Sequence, residues 1–178
     1  MEKLSIRDLK KYLQELPSDN VIADIITLCK DIPEVRDYYF TKIYPGAEEV
    51  ILEKYKKVIE NEYFPARGFG NARSSIARKA ISDFKKISKS PVNVVDLLFF
   101  HVSIGVDYTN EYGDIDDSFY TSLENSFEQA LKFSFQHGIN NAVKENAKTL
   151  CEKCQGFGWG FSDSIRGIYW SYYNETYD

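Results

Sequence analysis

Cysteine, histidine and methionine are scarce in this 178-residue chain, at three, two and one. The cysteines are Cys29, Cys151 and Cys154, an odd count without framework spacing, which excludes a disulfide-stapled secreted scaffold. The histidines, His101 and His137, stand alone, and no Ser/His/Asp or Cys/His arrangement accompanies them. Sustained apolar–polar alternation is missing, so strands are not expected. Long hydrophobic runs are missing too: the longest, 94-VVDLLFFHVSIGV-106, is too short for a bilayer and is interrupted by Asp96 and His101. The first residues, MEKLSIRDLKKYL, contain no apolar signal core. There is no basic excess either: 22 Lys and Arg face 27 Asp and Glu, giving a net charge of −5 and a pI near 5.2. That balance argues against nucleic acid as the main partner. These absences lead us to expect a cytoplasmic protein with no membrane partner. Without a low-complexity linker, a single domain over 1–178 is expected.

What is present is helical. Hydrophobic residues make up 43% and charged residues 28%, an ordinary globular balance for a length that buries a core unaided. Ser5 with Asp8 opens a first helix that ends near Leu16. Pro17-Ser18 restarts the chain, and Val21, Ile22, Ile25, Ile26 and Cys29 form a second stripe. Pro33 begins a third helix, and Pro45-Gly46 separates it from a fourth that runs to about Glu62. After the loop YFPARGFG, a fifth helix is expected from Asn71, and Pro91 starts a long sixth through Tyr112. Gly113 ends that helix, and Asp116 or Asp117 caps a seventh toward His137. An eighth runs from Asn141 to Gln155, and an aromatic ninth follows GFGWG and ends near Tyr173. The pattern predicts an all-α fold of about nine helices in antiparallel pairs, with an α-solenoid-like curl as one form of it. GFGNARSSIAR and GFGWGFSDSIR look alike, but a helix after a glycine loop is enough to account for the likeness.

One stretch stands out by charge. In 64-FPARGFGNARSSIARKAISDFKK-86 six basic residues accompany one acid, and between Lys54 and Lys89 ten basic residues outnumber three acidic ones. On a helix drawn from Asn71, Ile76, Ala77, Ala80, Phe84 and Ile87 form one apolar face. Arg78, Lys79, Lys85 and Lys86 fall outside it as a solvated surface, whereas Arg73 falls near its middle. A cation there opposes the helix dipole and, half-buried, needs a partner. Two partners fit. An external anion would be held by Arg67, Asn71, Arg73 and Ser74. An internal carboxylate, Asp107 or Glu111, is the preferred choice, because buried charges are usually paired within the protein.

Seven acids between Asp107 and Glu128, with no Lys or Arg among them, could supply that carboxylate. They also open an alternative, with Asp107, Glu111 and Asp114 holding a divalent ion and Arg73 clamping a phosphoester. However, DYTNEYGDIDDS departs from the calcium-loop pattern, and Asp116 and Asp117 are explained as helix caps. The pair Cys151 and Cys154 invites a zinc or redox reading, but neither four ligands nor a strand-then-helix setting accompanies it, so packed thiols are expected. In the last helix Ile165, Ile168, Tyr169, Tyr172 and Tyr173 read as core, leaving Trp170 and Tyr177 as outward contact residues.

KLSIRDLKKYL, FPARGFGNARSSIARKAISDFKK, YTNEYGDIDDSFYTSLENSFEQAL and GFGWGFSDSIRGIYWSYY together resemble a family of small bacterial proteins classed as a domain of unknown function. The resemblance implies an all-helical cytosolic protein and brings no activity, cofactor or catalytic residue with it. The sequence therefore favours a non-enzymatic binding module without a cofactor. Its basic 54–89 region would contact a partner protein or a small anionic ligand.

Overall fold

The computed structural model describes residues 3–173. Among them the chain forms nine α-helices and no strand, the all-α architecture that the periodicity indicates. Its contacts cluster into two compact units, Met1–Pro45 and Gly46–Asp178.

The first unit holds α1 (Ile6–Glu15), α2 (Ser18–Asp31) and α3 (Pro33–Ile43). Ser5 caps α1 by accepting the Asp8 N–H, and Pro33 occupies the first turn of α3, where its missing N–H costs nothing. α2 packs on α3.

The second unit contains α4 (Ala47–Tyr63), α5 (Ser74–Ile87), α6 (Pro91–Tyr112), α7 (Asp117–Gln136), α8 (Asn140–Lys153) and α9 (Phe161–Tyr173). Side-chain pairs reveal the helix directions. Tyr55 meets Phe84 and Glu62 meets Arg73, so α4 and α5 are antiparallel. Phe99 meets Phe127, His101 meets Ser126 and Thr109 meets Tyr120, so α6 and α7 are antiparallel as well. Cys151 reaches the Ile165 carbonyl and Tyr173 the Asn140 carbonyl, which makes α8 and α9 the third such pair. α6 is central, packing on α4, α5, α7 and α8. α7 also packs on α9 and meets α5 where Lys85 lies over the Phe133 ring. These contacts do not establish a solenoid-like curl.

α6 is long and apolar enough to cross a membrane by length and composition. Eleven of its residues are buried against its neighbours, Leu97 and Val102 completely, as expected of a core helix. Ser90 caps it and Pro91 fills its first turn, while Gly113 ends it with φ +83°. Asp116 caps α7 by accepting the Phe119 N–H at 2.8 Å.

Candidate functional site: the cleft at the start of α5

Helix α5 begins three residues later than the apolar pattern suggests, and the delay reorganises the basic stretch. Before the helix, Asn71 and Ala72 donate their backbone N–H groups to the Glu62 carbonyl, at 3.0 and 3.1 Å, and Ala72 takes φ +47°. Residues 70–72 therefore lie back over the end of α4 instead of starting a helix. This close approach requires Gly70, because a Cβ there would sit 1.8 Å from the Tyr63 carbonyl oxygen. Tyr108 adds a hydrogen bond from its hydroxyl to the Gly70 carbonyl at 3.0 Å.

Arg73 consequently occupies the N-cap position of α5, and its side chain is 60% exposed. It does not sit in the apolar face, because a wheel drawn from Asn71 assigns helical phase to non-helical residues. Its carboxylate is neither Asp107 nor Glu111, both of which are exposed on α6. The partner is Glu62. Arg73 Nε donates to Glu62 Oε1 at 2.8 Å, Nη2 donates to Oε2 at 2.9 Å, and the Arg73 backbone N–H adds a bond to Oε1 at 3.2 Å. These bonds hold the Glu62 carboxyl below the usual range.

A cleft of about 390 Å³ opens beside this pair. Asn71, Arg73, Ser74, Ser75 and Arg78 line one side, and Tyr108, Asp116 and Ser118 line the other. Three of the four residues expected to meet an anion are thus brought together; Arg67 is exposed on the loop and does not line the cleft. Arg78, exposed as expected of a solvated residue, also lines the cleft. No acid occupies the first turn of α5, and no side chain caps its N–H groups. Asp116 brings a negative charge to the opposite wall, but that carboxylate already accepts the Phe119 N–H and the Ser118 hydroxyl, which hold its pKa down. Of the two arginines that line the cleft, Arg78 makes no ion pair or hydrogen bond among the described residues.

Residues 4–172 match the model of a family of unknown function (DUF6155). The chain belongs to that family. No curated protein matches it, and no solved structure does. The family membership agrees with the resemblance seen in the sequence motifs and assigns no role to any residue of the cleft.

The acidic run does not assemble. No three His, Cys, Asp or Glu among the described residues are grouped to hold a metal ion. Asp107 and Glu111 are exposed, while Asp114 accepts the Tyr120 hydroxyl at 2.6 Å and the Gly158 N–H at 3.2 Å. The three-carboxylate ligand set considered from the sequence is therefore dispersed by the turn after α6. Lys79 and Lys86 form ion pairs with Asp83, and Asp96 pairs with Lys56.

Cys151 and Cys154 are buried thiols whose pKa values burial pushes up to about 12. Trp170 is half-buried rather than outward, and Tyr177 lies outside the described residues. Sequence inspection missed one constellation altogether. His101, fully buried on α6, places Nε2 2.8 Å from the Tyr63 hydroxyl and Nδ1 2.8 Å from the Ser126 hydroxyl. Its three members lie on α4, α6 and α7, 38 and 25 residues apart, so no local spacing could have signalled them.

Proposed function

We propose that this protein is a helical binding module and that the cleft at the start of α5 receives an acidic group of a small ligand or partner protein. The observation that carries this reading is Arg78, a cation lining the cleft without a counter-charge of its own. Arg73 is already matched by Glu62 and positions the cleft wall. The first N–H groups of α5, the hydroxyls of Ser74 and Ser75, and the Asn71 amide supply donors around Arg78. A phosphate or carboxylate complements such a set. The chemistry offered is recognition: charge, donors and a shaped cleft.

Thermal denaturation in sodium phosphate, at constant ionic strength, tests this. Millimolar phosphate should raise the melting temperature of the wild type by a few degrees through mass action. It should leave Arg78→Gln unmoved and shift the backbone amide signals of residues 71–75. A wild-type melting temperature indifferent to phosphate and to citrate would refute the proposal.

A further inference from the structure

The Tyr63–His101–Ser126 chain has one hydrogen more than it has links. Neutral imidazole carries one N–H and one lone pair, and each hydroxyl brings one hydrogen. Three hydrogens serve the two links to the ring, so one hydroxyl hydrogen is left over, and the Tyr63 hydroxyl has Ser74 as a further neighbour. Taking the more acidic hydroxyl, that of Tyr63, as the donor to Nε2 leaves Nδ1–H to donate to Ser126 Oγ. In this tautomer the spare hydrogen is that of Ser126. Ser134, two turns further along α7, returns its own hydrogen to the Leu131 carbonyl at 2.7 Å. Ser126 has no such acceptor among the described residues, although it is only 3% exposed. Burial and the nearby Arg78 charge both disfavour the imidazolium, consistent with a neutral ring.

Ser126 faces a second cavity, of about 270 Å³, between α5 and α7, where Lys85 also lies 4.5 Å from the Phe133 ring centroid. Arg78, Ser82 and Lys85 line it from α5, and Gln129 lines it from α7. Ser122, one turn before Ser126 on the same face of α7, is also buried with its hydroxyl oxygen unpartnered. A buried donor opening on a cavity calls for an acceptor, and two cations beside it select an anionic one. We infer that this cavity is a second oxyanion site: a phosphate or carboxylate oxygen accepts the Ser126 hydrogen while Arg78 and Lys85 balance its charge. It stands apart from the cleft at the start of α5, with Arg78 lining both.

The test is a titration of the ¹⁵N-labelled full chain with sodium phosphate and, separately, with citrate at constant ionic strength. The amides of Ser82, Ser126 and Gln129 should shift saturably, and the stronger response identifies which oxyanion fits. Ser126→Ala and Lys85→Gln should each weaken the binding about tenfold. Ser126→Ala strands a buried N–H, so Lys85→Gln decides the matter if that variant does not fold. The imidazole nitrogens of His101 should report hydrogen on Nδ1. Hydrogen on Nε2 overturns the inference. Shifts confined to residues 71–75 overturn it too while leaving the first cleft intact. Shifts confined to Ser82, Ser126 and Gln129 support the second site and remove the first. A chain that answers neither anion at either place loses both.

Discussion

Gly70 and Glu62 show how much of the cleft depends on single residues. Gly70 lies against the backbone of Tyr63, where a methyl group has no room, and the obstruction is main chain that cannot swing aside. Gly70→Ala should therefore cost about 2–3 kcal/mol in urea denaturation, a large effect for one methyl group. A change under about 0.5 kcal/mol would mean that the 70–73 segment does not lie back on α4. The Glu62–Arg73 pair was half legible. The sequence shows that Arg73 needs a carboxylate, but its wheel position presumed a regular helix from Asn71. The true partner lies across a turn whose shape depends on Gly70 and on the left-handed Ala72, neither visible as periodicity. The thiols give a second residue-scale expectation. Cys151 and Cys154 should resist a thiol reagent until the second unit unfolds, while the half-buried Cys29 reacts first. Mass spectrometry after brief labelling distinguishes the three sites, and early modification of Cys154 would contradict its complete burial.

At the scale of elements, the turns carry the specificity. The link between α5 and α6 is organised by Glu48 of α4, which accepts hydrogen bonds from the Ser88 hydroxyl, the Lys89 and Ser90 N–H groups and the Asn93 amide. Burial pushes its pKa up, and the four hydrogen bonds more than offset this, so the carboxyl titrates below its ordinary value. A depressed folded-state pKa stabilises the protein above the unfolded-state pKa, and that stabilisation is lost as pH falls through the folded value. Glu48→Ala should cost about 2 kcal/mol at pH 7 and less in acid. Equal destabilisation at pH 7 and pH 3 would show that the carboxylate charge is not what the turn uses. The helix starts at Ser5, Pro33, Ser90 and Asp116 were legible because a cap or a proline acts through adjacent backbone. The contribution of Glu48 was not, because its partners lie some 40 residues further along the chain. The two GFG loops repay comparison. Gly70 and Gly158 both lie where a Cβ would collide, and Ala72 and Trp159, each two residues before a helix, both take positive φ. Their likeness goes with a shared way of entering a helix, a crowded glycine followed by a residue at positive φ.

At the scale of the second unit, α6 gathers the core and buries in it His101, the group of that core that titrates nearest neutral pH. His101 is 0% exposed, and burial, with a contribution from the Arg78 charge, lowers its pKa to about 4. The unfolded chain binds a proton near pH 6.5 and the folded chain does not. The unfolded state therefore holds more protons between those values, and stability falls as pH drops through that window. Between pH 7 and pH 5 the loss from this one group should be about 2 kcal/mol. The paired carboxylates Glu48, Glu62 and Asp83 have lowered pKa values, so their main losses come in stronger acid and leave the window largely to His101. Urea denaturation at pH 7, 6 and 5 should show this slope in the wild type. His101→Gln has no imidazole to protonate and should be nearly flat over the same range, whatever its absolute stability. A wild type as stable at pH 5 as at pH 7 would mean that the imidazole is either accessible or charged in the fold. The Tyr63–His101–Ser126 chain, and the spare hydrogen it delivers to the α5–α7 cavity, would then have to be abandoned with it.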